Sequence, residues 1–262
     1  MKRAMDFVPP ERSLAEANLL LCEYSHRINN EFASAIGAIS HAAARSGTAE
    51  ARGALVAVKE QLLNYALVHQ VLQMPEHSIR IDAAVYLRRL CRAIRRSKLD
   101  SGRIELSLVA RKCPMNSQRC WRLGLIVSEL ITNSVRHGLS ESGGSICVEL
   151  VPASPFIKCR VTDNGTSQPV IRPGRGLEIV AALARDLGGT IDHEFGPQGA
   201  TSLLVFPAVD EMPSAERKIA RVKVTRVVNM RRRKDREDRE RFGRPKGEPP
   251  RAPDEPVLRN IP

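Results

Sequence analysis

The chain has 262 residues, 41 Lys and Arg against 29 Asp and Glu, and a formal charge of +12. That length buries a substantial core. The longest apolar runs, 19–22 and 33–39, fall well short of the roughly 20 residues of a membrane span. No signal peptide is visible at the N-terminus, so the expectation is a soluble, cytoplasmic protein.

Residues 207–262 hold 16 of the cations and 10 of the anions, half of the net charge. The basic balance therefore belongs largely to a tail, and with one Trp, three Tyr and no groove-reading motif, nucleic acid ranks last among partners. Six scattered cysteines without a CxxC pair read as reduced thiols.

Residues 1–12, with Pro9-Pro10, read as a flexible leader. From Ser13 to Ala44 the apolar positions Leu21, Ser25, Ile28, Phe32, Ala35, Ile39 and Ala42 step alternately by four and three. Ser46-Gly47-Thr48 breaks this helix. A second is predicted from Ala49 to Gln73, its stripe formed by Leu55, Val58, Leu62, Tyr65, His69 and Leu72. Two such helices form an antiparallel hairpin over 13–76. One hairpin cannot bury both stripes, so a homodimeric four-helix bundle is expected.

The next segment, 80–207, alternates helix and strand signals. Asp82 is a plausible N-cap for a helix to about Ser97, followed by a strand at Ile104–Ala110, a long helix at Gln118–Gly138 and a Gly143-Gly144 turn. Strands follow at Ser145–Val151 and Phe156–Thr162, a helix at Leu177–Leu187, and strands at Thr190–Phe195 and Thr201–Phe206. This predicts an α/β sandwich, a mixed, mostly antiparallel sheet with helices on one face. Beyond Pro207, residues 208–262 contain RRRKDREDRERFGRPK and a Pro-rich end, and read as disordered or a solvated helix.

Five constellations carry chemistry. In EYSHRINNEF (23–32), His26 sits on the flank of the stripe, with Arg27 beside it and Asn30 one turn on. An exposed imidazole near cationic or donor groups suits phosphoryl chemistry. In LIVSELITNSVRHG (125–138), Glu129 and Asn133 share a helix face, with Arg136 one turn further. A carboxylate and a carboxamide together suit hydrated Mg²⁺. In VTDNG (161–165), Asp163 ends an apolar strand where it can accept from an amino group, and Gly165 allows close approach. Gly174 and Gly176 open a helix whose N-terminus suits phosphate. Glycines 188, 189 and 199 allow close packing under a ligand.

In this order and spacing, the motifs resemble the ATP-binding domain shared by gyrases, chaperones, histidine kinases and mismatch-repair ATPases, the Bergerat fold. The hairpin resembles the dimerisation and phosphoacceptor domain of two-component histidine kinases, of the H-R-x-x-N type related to HWE kinases. The resemblance covers about 12–207 and implies an α+β protein: a helical hairpin, dimerised as a four-helix bundle, followed by a Bergerat ATPase domain. It further implies His26 as phosphoacceptor with Arg27 and Asn30, Glu129 and Asn133 at Mg²⁺, and Arg136 and His137 at the phosphates of ATP. Asp163 and Gly165 would hold adenine, Gly174 and Gly176 would end a short lid (166–173), and Thr201 would join the adenine network. The expected reaction is autophosphorylation by Mg-ATP and transfer to the Asp of a response-regulator receiver domain. Two alternatives stay open: a histidine phosphotransferase with a degenerate domain that binds no nucleotide, and an anti-sigma-type serine kinase.

Overall fold

The computed structural model describes residues 10–99, 103–139, 143–165 and 174–208. Residues 1–9 of the expected leader, the lid 166–173 and the tail from 209 lie outside the described residues, while residues 10–12 of that leader already belong to the first helix. Two long helices come first, α1 (Pro10–Arg45) and α2 (Ala49–Val71). Thr48 starts α2 by accepting a hydrogen bond from the Ala51 amide at 3.2 Å, the usual N-cap arrangement. The hairpin seam differs from the expected one. Leu21 lies outside the described side chains, and Ser25, Ile28 and Phe32 are half-buried as expected, but further on Ile36 and Ala43 turn inward while Ala35 and Ala42 are exposed. An α-helix gains about 20° on a seven-residue repeat, so a stripe read strictly by fours and threes drifts off the contact face.

The α/β part begins with a short strand, β1 (Arg80–Asp82), which pairs antiparallel with β3 (Pro114–Asn116). Neither strand was expected. Asp82 caps α3 (Ala83–Lys98) by accepting from the Ala84 amide at 3.0 Å, and the same oxygen accepts from the Cys113 amide at 2.9 Å. One carboxylate thus starts the helix and ties it to the strand. Loss of such a cap costs about 1 kcal/mol. Leu87, Leu90, Cys91 and Ile94 recur at helical spacing on α3 and are buried.

The main sheet has five strands in the order β2-β4-β5-β7-β6. They are β2 (Ile104–Ala110), β4 (Gly144–Ala153), β5 (Phe156–Asp163), β6 (Thr190–Gly196) and β7 (Gly199–Pro207). Only β2 and β4 pair in parallel; the other pairs are antiparallel. Alternate side chains Ile146, Val148 and Leu150 of β4, Ile157, Cys159 and Val161 of β5, and Leu204 and Phe206 of β7 enter one buried cluster with the helices. Into it pack α4 (Ser117–Asn133), through Leu123, Ile126, Val127, Leu130 and Ile131, and α5 (Arg175–Asp186), through Val180 and Ala184. The sandwich expected from the sequence is therefore present. No helix among the described residues is long and apolar enough to cross a membrane, and none of the described cysteines is in a disulfide.

The end of α4 departs from a single long helix. Residues Ser134–Gly138 form one π-turn, closed by the Leu139 amide on the Ser134 carbonyl at 3.0 Å. The hairpin and the sandwich meet directly. Trp121 Nε1 donates to the Leu72 carbonyl at 2.8 Å, Tyr86 to the Val71 carbonyl at 3.1 Å, and Gln61 Nε2 to the Ser97 carbonyl at 2.9 Å.

Candidate active site

Asp163 is the last residue of β5 and is buried. Its Oδ1 accepts from the Gly165 and Ala200 amides, each at 3.1 Å, and its Oδ2 accepts from the Ser134 hydroxyl at 2.6 Å. A carboxylate has about four lone-pair positions, so three are filled and one, on Oδ2, stays open to a donor. Gly165 is required by space: a Cβ there would run into the backbone of Gly138. The open end of β5 and the π-turn are consequently pressed together around the carboxylate.

Thr201 does not join this group. Its Cα partner is Thr162, and neighbouring residues of a strand point to opposite faces. Thr162 and Thr201 therefore share the face opposite Asp163. The neighbour at 200 reaches the carboxylate instead, through its backbone, which needs no particular side chain.

Glu129 and Asn133, one turn apart on α4, are both half-buried. A Cβ on Gly176 would meet Glu129 Oε1, so the carboxylate stands against the first turn of α5. Gly174 is the N-cap of that helix and has no side chain to occupy its first-turn amides. Arg136 and His137 are exposed on the π-turn. Lys98, at the end of α3, donates to the Thr132 hydroxyl at 2.8 Å, and that hydroxyl donates to the Ser128 carbonyl at 2.8 Å. Burial pushes the Lys98 ammonium below the usual lysine range; Glu129 opposes this and Arg136 adds to it. Lys98 thus belongs to the same charged neighbourhood.

Among the described residues, no three His, Cys, Asp or Glu side chains cluster closely enough to hold a metal. Glu129 and Asn133 offer the hard oxygens that Mg²⁺ takes when water and phosphate complete its shell. Two such oxygens do not close a shell by themselves, so an ion held there would take its remaining ligands from water or a bound molecule.

On the hairpin, His26 is exposed, and its Nε2 lies 3.4 Å from Glu76 Oε1 in the segment after α2. Arg27 turns back along α1 and pairs with Glu23 at 3.1 Å. Asn30 is exposed on the same helix. Its neighbour Asn29 meets His69 of α2 through Oδ1 and Nδ1 at 3.2 Å. Burial lowers the affinity of His69 for a proton, which fits a histidine packed against Phe32.

A family profile described as histidine kinase matches residues 23–98, and one described as histidine kinase-like ATPase domain matches 87–205. Residues 23–205 thus carry the two domain types of the histidine kinase family. Among histidine kinase relatives, sensor histidine kinase PdtaS of Mycolicibacterium smegmatis is 23% identical over 204 residues, covering 74% of this chain and 40% of the relative. The serine-protein kinase RsbW of Listeria monocytogenes is 40% identical over 67 residues, 25% of this chain and 43% of RsbW. The chain thus spans well under half the length of these curated relatives. A solved bacterial phosphotransferase superposes with a TM-score of 0.51 at 13% identity, covering 72% of this chain and 96% of its own, which supports the shared fold.

Ser134, Lys98 and Glu76 join the site without having been singled out in the sequence. Ser134 follows Asn133 directly, in a polar stretch from Thr132 to His137 interrupted only by Val135, so nothing local singles its hydroxyl out. Lys98 and Glu76 reach the site by tertiary packing, and no local pattern marks them.

Proposed function

We propose that the chain is a cytoplasmic protein histidine kinase that phosphorylates His26 with Mg-ATP and passes the group to the Asp of a response-regulator receiver domain. The observation that carries this reading is the presence, in one chain, of an exposed histidine on a helical hairpin and a buried Asp163 with one acceptor position open. Asp163 would accept from the amino group of adenine. Arg136, His137 and the first turn of α5 would face the phosphates, and Lys98 would add positive charge beside them. Glu129 and Asn133 would hold Mg²⁺, which when bound neutralises phosphate charge.

In the transfer, a lone pair of the His26 imidazole forms the N–P bond. The bond from γ-phosphorus to the bridging oxygen breaks, and ADP leaves with that electron pair. Little covalent work falls to the protein; positioning and charge neutralisation dominate. The proposed active form is a homodimer, supported by the exposed apolar side chains of the hairpin, Leu20, Tyr24, Val58, Leu63, Tyr65 and Leu67.

The test is incubation with γ-labelled Mg-ATP. Acid-labile, base-stable phosphate is expected, and His26→Ala and Asn133→Ala should each abolish it. Normal labelling of His26→Ala would remove His26 as acceptor. The RsbW similarity favours a second reading, a protein-serine kinase, which acid-stable phosphate on a protein substrate would support instead.

A further inference from the structure

Asp163 is held from three directions, and two of the three holds are backbone amides, those of Gly165 and Ala200. The third is different. Ser134 is itself buried and donates its hydroxyl to Oδ2 at 2.6 Å, the shortest of the three bonds. This donor comes from the first residue of the π-turn, where the widened backbone brings the chain against the end of β5. The amides fix Oδ1 only, and a carboxylate held at one oxygen can still swing the other. The hydroxyl removes that freedom and leaves Oδ2 with a single lone pair in a set direction.

We propose that Ser134 is a positioning residue for base recognition: its hydroxyl orients Asp163 so that the site takes purines carrying a 6-amino group and discriminates against those without one. The proposal rests on the ATP reading of this site. A hydrogen-bonding site of this kind rejects a ligand lacking the donor, because its buried acceptor is then left unpaired. Without the Ser134 hydroxyl, Oδ2 can turn toward water or sweep a range of angles, and the amino group loses its fixed partner. Contacts to ribose and phosphates, made elsewhere, are untouched.

The experiment uses the full chain and two ligands that differ only at the 6-position, Mg-ATP and the Mg complex of purine riboside triphosphate, titrated calorimetrically. The parent protein should bind ATP more tightly. Ser134→Ala should weaken ATP by about tenfold, the worth of one hydrogen bond to a charged group, and leave the purine analogue nearly unchanged, so the preference collapses. Ser134→Thr, which keeps the hydroxyl, should retain it. Equal weakening of both ligands, or an unaltered ratio in Ser134→Ala, would overturn the proposal and leave Ser134 a packing residue. Failure of the parent protein to bind either ligand would overturn the ATP reading itself, and the proposal with it. Thermal unfolding of each variant separates loss of fold from loss of selectivity.

Discussion

Replacing Asp163 by Asn separates the two duties of this residue, holding the structure and meeting the ligand. The side chains are nearly isosteric, but Asn has one oxygen and one NH₂. The Gly165 and Ala200 amides can be met only by the oxygen, so the NH₂ must take the place of Oδ2. There it faces Ser134, whose hydroxyl can rotate and accept. No buried group is stranded, and three charge-assisted bonds become neutral ones. Each loses roughly 1 kcal/mol, the difference between bonds to charged and neutral groups, for a total of about 3 kcal/mol. A domain stable by about 5–15 kcal/mol stays folded.

The ligand side fares worse. The open position changes from a lone pair to an N–H, which meets the amino group of adenine donor to donor. Losing that bond and leaving a donor unpaired costs about 3 kcal/mol, roughly a hundredfold in Kd. Urea unfolding followed by the fluorescence of the single Trp121 reports the first quantity, and calorimetric titration with Mg-ATP the second. A 6-keto purine triphosphate, which presents an acceptor to the new N–H, should lose far less. A folded Asp163→Asn protein that binds Mg-ATP within about threefold of the parent would refute the reasoning.

Gly176→Ala should barely alter stability, because the atom its Cβ meets is the end of a half-exposed Glu129 side chain that can move; labelling by Mg-ATP should fall about tenfold as that carboxylate leaves its place, and unchanged labelling would detach Glu129 from the chemistry. In the native protein a thiol-alkylating reagent should modify only the half-buried Cys22 and Cys147 among the described cysteines, with Cys91, Cys113, Cys120 and Cys159 reacting on unfolding, as peptide mass analysis would reveal. Burial pushes the Cys91 and Cys159 thiols up to about 12. The folded chain therefore keeps protons that the unfolded chain releases, and stability should fall as pH rises from about 9 toward 12, by up to about 1.4 kcal/mol per pH unit per thiol; an alkaline urea series that shows no decline would contradict it.

Much of this architecture was legible because local and global signals agree. Leu87, Leu90, Cys91 and Ile94 mark the buried face of α3, Asp82 marks its start, and the alternation in 145–162 marks two strands. The paired strands β1 and β3 were not legible, since three residues carry no period and their pairing joins Arg80 to Asn116 across the chain. The second bond of Asp82, to the Cys113 amide, is hidden for the same reason. At the site, Glu129, Asn133, Asp163 and the glycines could be singled out by type and spacing. By strand parity Thr201 lies on the face opposite Asp163, and what Asp163 receives from β7 is the Ala200 amide, which only the register shows. Ser134, Lys98 and Glu76 act through contacts whose geometry only the fold supplies.

The seam between hairpin and sandwich bears on how the two halves of the site could work together. Along α2, Gln61 holds the Ser97 end of α3, while Val71 and Leu72 hold Tyr86 and Trp121. Lys98, Glu129 and the candidate phosphate face belong to the Gln61 end. His26 belongs to the other end, since Asn29 meets His69 and His26 meets Glu76. The stretch from Gln61 to Leu72 covers roughly 16 Å at about 1.5 Å per helical residue. An imidazole must come within about 3–3.5 Å of the phosphorus it attacks. In the docked arrangement, then, the phosphate face and the histidine of one chain are offset along the same helix by several times the reacting distance. Under the proposed function, transfer within one chain requires those three seam bonds to break and the sandwich to move toward the His26 end; transfer to the histidine of a second copy would bypass that requirement. The restraint is more than three neutral hydrogen bonds of roughly 1 kcal/mol each, because Val68, Val71 and Leu72 also pack against the sandwich core and undocking would expose that apolar surface.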